Sequence, residues 1–268
     1  MKIKDSHILL TGATGGIGRA IAEQLAKSGA KLTLVGRSHE ALQSLQAGLM
    51  NSEQHHVLVA DVTSSLGVAD INEYAKRAIG ERRRINAVIN NAGCNDFALL
   101  SGKSPQQIEQ EINLNLVAPI MICQTLIGSI SQPGVMLNIG STFGSIGYPG
   151  YTTYCAAKAG LHRFSESLDR ELNGSGIRVL YLAPRATDTA LNSSAVNQMN
   201  QKLGNAVDSP QRVAKHVQSM IEKETSAKWI GWPEKLFVRI NQILPGVVSS
   251  AINKQKETIN QYVNRVSH

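Results

Sequence analysis

The sequence predicts an α/β fold: one parallel, doubly wound sheet of about seven strands with helices on both faces, and an amphipathic helical extension behind it. Three observations carry this. Short apolar runs alternate with helical periodicity along most of the chain, the order that builds a parallel sheet. The first run passes through a glycine-rich turn straight into a helix. A chain of 268 residues that is 42% hydrophobic can bury one core of this size, and no composition break marks a second.

Residues 6–11 read as a buried strand, 19–27 as a helix with Ile21 and Leu25 on one face and Gly29 closing it, and 31–35 as a second strand. That is a compact βαβ unit. The alternation continues with a helix over 40–50, a strand over 56–60, a helix over 67–80 and a strand over 87–90. Helical stretches through 109–129, a strand over 135–139, a long helix over 151–172 and a strand over 178–182 follow. From Thr187 to Pro210 the chain is polar with scattered Leu191, Val196, Met199 and Leu203, the pattern of a flexible lid helix. Beyond residue 233, Leu236, Ile240, Ile243 or Leu244, and Val247 recur at helical spacing beside Lys235, Arg239, Lys254, Lys256 and Arg265, and Pro245-Gly246 should kink or split that helix. Residues 1–233 are thus assigned to a Rossmann-like domain with the cofactor and active sites, and 234–268 to an extension of the same domain.

The formal charge of +7 admits nucleic acid, an anionic lipid surface or an anionic small ligand as partner. No basic patch interleaved with aromatics supports nucleic acid, and Arg82-Arg83-Arg84 reads as a solvated turn. Cys94, Cys123 and Cys155 are scattered without a CxxC pair, which argues against a disulfide framework and a metal site and fits a reducing compartment. The N-terminus carries no apolar leader core, and no apolar run is long enough to span a membrane. The expected location is cytoplasmic, with peripheral membrane contact through the extension left open.

The chemistry begins at the turn. Gly12, Thr14, Gly15, Gly16, Ile17 and Gly18 lie between a strand and a helix, where small residues let the backbone approach a pyrophosphate and the helix N-terminus supplies free N–H groups. An acidic residue ending the second strand would favour NAD; the chain has Arg37 followed by Ser38, suited to a 2′-phosphate and hence to NADP. A plain surface arginine is the competing reading. Asp61 and Val62 follow the third strand, where Asp61 either accepts from the adenine amino group or caps the next helix. Tyr154 and Lys158, four apart, share a helix face. The lysine charge should favour the phenolate and lower the tyrosine pKa, preparing it to trade a proton with a substrate oxygen. Ser141 ends a strand upstream, placed to hold that oxygen.

These residues, with Asn90-Asn91-Ala92-Gly93 and Asn115-Leu116, resemble the short-chain dehydrogenase/reductase superfamily in its compact Tyr-x-x-x-Lys branch, from about residue 6 to 190. The resemblance implies that Asn115 holds a water in a proton relay with Lys158, although Asn113 is a rival and a helix-kink role an alternative. It implies that Asn91, with Ala92 and Gly93 beside it, approaches the adenosine ribose, that Lys158 bonds the nicotinamide ribose, that Tyr154 is the general acid in reduction, and that Thr187 meets the carboxamide. The family usually has Pro-Gly where this chain has Pro184-Arg185, so Arg185 is expected to reshape the site or reach an anionic group.

The function expected is NADP-dependent hydride transfer to or from a carbonyl, the substrate being a hydrophobic ketone or a 3-oxoacyl group, free or on an acidic carrier protein. A catalytically silent NADP-binding sensor and a membrane-surface binding protein are the alternatives. The resemblance implies a homodimer or homotetramer. The extension covers the active-site mouth or a neighbouring subunit, meets a membrane or lipidic substrate, or is an ordinary surface helix.

Overall fold

A computed structural model describes residues 1–266 of the chain; the last two residues assigned to the extension lie outside the described residues. Seven strands form one all-parallel sheet in the order β3-β2-β1-β4-β5-β6-β7. These are β1 (His7–Thr11), β2 (Lys31–Gly36), β3 (His56–Val59), β4 (Ala87–Asn90), β5 (Gly134–Ile139), β6 (Ile177–Ala183) and β7 (Ala227–Trp229). Sheet order reverses direction between β1 and β4, which opens a crevice at the carboxyl ends of those strands.

Alternation along the strands buries both faces. In β1, Ile8 and Leu10 pack into the core formed with α1 (Gly16–Lys27), α2 (His39–Ala47) and α8 (Pro210–Lys223). Leu9 points the other way, into a second core with α3 (Ser65–Gly80), α5 (Ala118–Leu126) and α6 (Thr152–Glu171). Strand β7 and helix α8 were not assigned from sequence. The former is three half-buried residues with a central lysine, too short for a periodic pattern. Helix α8 does show apolar spacing: Val213, Val217, Met220 and Ile221 are buried, the first three at steps of four and three.

The stretch over 109–129 is not one regular helix. Helix α4 (Pro105–Ile112) runs into a π-helical turn over Asn113–Val117 and then α5. Pro119 has no N–H to offer the Asn115 carbonyl, and the helix opens there. The lid carries α7 (Ser194–Lys202). The extension is split by Pro245 into α9 (Glu234–Ile243) and α10 (Pro245–Asn253), followed by α11 (Lys256–Val266). No described helix is long and apolar enough to cross a membrane.

Arg83 departs from the solvated-turn expectation. It is half-buried and donates to the Tyr74 hydroxyl at 2.9 Å, with its guanidinium 5.4 Å from that ring's centre. Behind it, buried His7 donates from Nδ1 to the Arg83 carbonyl (2.6 Å), and its Nε2 is hydrogen-bonded to the Thr33 hydroxyl (2.7 Å). Burial pulls the His7 pKa down from 6.5 to about 4. The folded state therefore binds this proton less readily than the unfolded chain. The neutral ring's stabilisation is complete above pH 6.5 and is lost as pH falls from 6.5 through about 4, a total of about 3 kcal/mol. Urea midpoints measured between pH 7 and pH 4 should fall, and His7→Gln should flatten that dependence.

Candidate active site

Gly12 sits at φ +61°, and a Cβ there would lie 2.7 Å from the Ala92 backbone. Gly18 is tighter: a Cβ would meet the Gly12 carbonyl oxygen at 2.1 Å. The turn is braced by Asn91, whose side-chain N–H groups donate to the Thr11 and Gly12 carbonyls at 3.1 and 3.0 Å. Both N–H groups of that amide are thereby engaged within the turn.

Helix α1 is left open at its N-terminus. Ser38, Ser64, Ser104, Ser193 and Ser209 cap other helices through their side chains. At α1 the N-cap is Gly15, with no side-chain cap and no acidic residue in the first turn. Thr14, Gly15, Gly16 and Ile17 are all at least partly exposed there. Uncapped N–H groups and an aligned helix dipole in an exposed glycine turn fit a bound phosphate.

Arg37 is exposed just beyond Gly36, at the crevice edge, and Ser38 is committed to capping α2. Arg37 lies near enough to Asp61 to favour its ionised form, although the main cause of that lowering is the Thr63 hydrogen bonding. Asp61 is not a helix cap: its carboxylate accepts from Thr63 N and Oγ1 at 2.9 and 2.7 Å, while Ser64 caps α3. Val62 is buried in the core.

Ser141 leaves the carboxyl end of β5 on the Tyr154 side of the site, its hydroxyl accepting from the Phe143 N–H at 3.1 Å and lying near enough to Tyr154 to favour the phenolate. Its own position is set from below by Tyr181, which sequence reading missed. The Tyr181 hydroxyl donates to the Ser141 carbonyl at 3.2 Å and accepts from the Ser141 N–H at 3.3 Å. Gly140 is required by the same ring, since a Cβ there would fall 2.1 Å from it. Tyr154 and Lys158 follow on α6, the Lys158 Nζ lying 5.7 Å from the Tyr154 ring centre and donating to the Ile139 carbonyl at 3.0 Å.

Burial pulls the Lys158 ammonium down to about 8. The expected lowering of Tyr154 is not seen. Removing the phenolate from water outweighs the opposing influence of Ser141 nearby, and the Tyr154 hydroxyl is pushed up. A tyrosine in that state keeps its proton available to an acceptor.

Asn115 is fully buried in the π-helical turn and donates to the Cys94 and Glu111 carbonyls at 2.8 and 2.9 Å, while its Oδ1 has no protein partner. A Cβ on Gly93 would sit 2.9 Å from that oxygen and 3.7 Å from Lys158 Nζ. Gly93 thus keeps a gap between an unpaired acceptor and an ammonium. Asn113 lies at the start of the same turn and is exposed. Thr187 is buried, its hydroxyl donating to the Arg185 carbonyl. Thr189 instead faces the glycine turn, its methyl carbon 2.7 Å from where a Gly16 Cβ would be; its signal was its place two residues beyond Thr187. Arg185 turns to the protein's own carboxylates, Asp208 and Glu234.

Ser141 and Tyr154 form one wall of a cavity of about 370 Å³ whose lining is mainly apolar. Phe143, Tyr148, Tyr151 and Phe237 also line it. Its far side comes from the lid and from α9 and α10.

The sequence matches the short chain dehydrogenase family over residues 6–200. The chain belongs to this family and is an oxidoreductase acting on C=O or CH–OH groups. It is 35% identical over 178 residues to a 3-oxoacyl-(acyl-carrier-protein) reductase of Haemophilus influenzae, covering 66% of this chain and 72% of that one. Its fold is that of a Burkholderia cenocepacia short chain dehydrogenase solved with NADP (TM-score 0.78, 20% identity, 94% of this chain and 99% of that chain). A Brucella melitensis 3-ketoacyl-(acyl-carrier-protein) reductase solved with NADH is similarly close (TM-score 0.76, 21% identity, 87% and 99%).

Proposed function

We propose that this chain is an NADP-dependent ketoreductase for a hydrophobic ketone or 3-oxoacyl substrate. The observation that carries the reading is the convergence of Ser141 and the proton-holding Tyr154 on one wall of a mainly apolar cavity. The nucleotide is assigned to the turn at Gly12, Gly16 and Gly18, with Arg37 at its 2′-phosphate and Asp61, Asn91 and Thr187 along its length. When bound, the reduced nicotinamide supplies a hydride to the carbonyl carbon. Ser141 holds the carbonyl oxygen, and Tyr154 donates its proton to that oxygen as charge develops, so that an alcohol leaves. The Lys158 charge stabilises the resulting phenolate, and Asn115 Oδ1 orients a water through which a proton reaches Lys158 and restores the Tyr154 hydroxyl.

The likeness to a 3-oxoacyl-(acyl-carrier-protein) reductase favours a second substrate form, the acyl thioester. A silent sensor has no use for the complete Ser141, Tyr154 and Lys158 set. Ile243, Leu244 and Val247 on the extension, and Trp232 just before it, are all more than half exposed. They support a contact surface for a second copy of the chain or for lipid.

The test is paired titration of NADPH and NADH with wild type and Arg37→Ala, followed by turnover of free ketones and 3-oxoacyl thioesters. NADPH should bind more tightly, and Arg37→Ala should cost about 2 kcal/mol of NADPH affinity, roughly thirtyfold, while sparing NADH. A preference for NADH, or indifference to Arg37, would overturn the cofactor assignment. Tight NADPH binding without turnover of any carbonyl would favour the sensor.

A further inference from the structure

Two walls of the cavity come from separate parts of the chain. One is the lid, residues 187–208, which leaves the sheet after β6 and returns to it. Its ends are tied together: Asp188 N–H donates to the Asp208 carbonyl and Asp208 N–H to the Ala186 carbonyl, both at 2.9 Å. The other wall is the extension, through Phe237 of α9 and Val248, Ala251 and Ile252 of α10. Helix α11 closes over the lid helix, Ile259 and Val263 packing with Val196 and Met199.

A single guanidinium joins these walls. Arg185 Nε and Nη2 donate to the two oxygens of Asp208 at 3.1 and 2.9 Å. Its Nη1 lies 3.1 Å from both oxygens of Glu234, the first residue of α9. The Arg185 side chain is 11% exposed and that of Asp208 2%. A planar fork between two carboxylates in so little water is a directional joint, which a lysine or a surface pair would not reproduce. The chain also makes room for it: Gly231 has φ +105°, and a Cβ there would lie 2.4 Å from a Glu234 oxygen and 2.9 Å from Arg185 Cδ.

The geometry points to Arg185 and Glu234 as positioning residues for substrate selection, a pin that holds lid and extension together as one roof over the substrate cavity. This rests on the proposal that the cavity beside Tyr154 takes the substrate. With both carboxylates engaged, Arg185 acts on the substrate through the roof it holds and not by pairing with it. Arg185 and Glu234 line the cavity beside the apolar residues of the roof, so the loss of the pin is felt most by a substrate that fills the cavity and leans on that roof. A compact substrate held only at its carbonyl is affected less.

The experiment compares wild type, Arg185→Gly (the residue the family usually carries), Glu234→Gln and Arg212→Ala. Arg212 also pairs with Asp208, at 3.1 Å, but is half exposed and does not reach Glu234; its loss controls for removing any charge near the lid. Reduction of a compact methyl ketone and of a bulky aryl ketone by NADPH gives KM and kcat for each. Emission from Trp229 at the end of β7 and Trp232 just before α9, the chain's two tryptophans, reports the junction between the sheet and the extension. Arg185→Gly and Glu234→Gln should each raise KM for the aryl ketone about tenfold, with a much smaller rise for the methyl ketone and little change in kcat for either. Both should shift tryptophan emission and speed tryptic cleavage within the lid, and Arg212→Ala should do neither. Unaltered KM ratios and emission in both folded variants would overturn the pin, as would an equal effect from Arg212→Ala. If wild type reduces neither ketone, the substrate proposal fails, while emission and cleavage still decide whether the pin exists.

Discussion

Tyr154→Phe is expected to lower kcat for ketone reduction by about 10³-fold while leaving NADPH affinity within a few-fold of wild type. The substitution removes one oxygen. The ring, with its centre 6.0 Å from that of Tyr151, stays in place. The scaffold therefore has no reason to move, and only proton donation is lost. A mainly apolar cavity makes the loss large, because the alkoxide that forms is then held by Ser141 without the proton that Tyr154 supplies. Steady-state turnover, set beside NADPH titration by fluorescence, separates chemistry from binding. A Phe variant that kept a tenth of wild-type turnover would remove Tyr154 from the acid role and put Lys158 or a water in its place.

Gly18→Ala is expected to destabilise the fold by about 3 kcal/mol and to abolish measurable nucleotide binding. The added methyl would lie 2.1 Å from the Gly12 carbonyl oxygen, 2.9 Å from Asn91 Nδ2 and 3.0 Å from the Ala13 carbonyl carbon. Two of these three atoms are backbone, which cannot swing aside as a flexible side chain can. The turn must open, and the Asn91 hydrogen bonds that brace it must lengthen. Gly80→Ala makes the matching control: it ends α3 with nothing within 4 Å of the added carbon, and it should be neutral or stabilise by up to about 1 kcal/mol. Urea unfolding of both variants, with NADPH titration of the first, measures the contrast. Equal stabilities would mean that the turn relaxes easily and is not the rigid cradle described above.

Much of the site lay open in the chain itself, for a local reason. A strand–turn–helix junction, a four-residue helical spacing and a residue after a strand are all short-range relations. Gly12, Gly16, Gly18, Arg37, Ser141, Tyr154 and Lys158 could therefore be chosen without knowing what touches what. The same locality explains the strands that were located, since a parallel strand buried on both faces is a plain apolar run. It also explains the loss of β7, whose three residues become a strand only because β6 offers them an edge.

Long-range contact decided the rest. Tyr181 lies forty residues from Ser141, and only the pairing of β5 with β6 puts its hydroxyl under that serine. The Tyr154 pKa follows from the depth at which α6 packs, and that burial outweighs the lowering influence of Ser141. Asn115 differs from Asn113 because the π-helical turn faces one of them toward Cys94 and Lys158. Arg185, an oddity in sequence, acquires its role from two carboxylates 23 and 49 residues away. Backbone conformation and residue spacing are properties of a few neighbours in the chain; desolvation, charge pairing and the shape of a cavity depend on which distant segments share a volume, and that is decided by the folded structure.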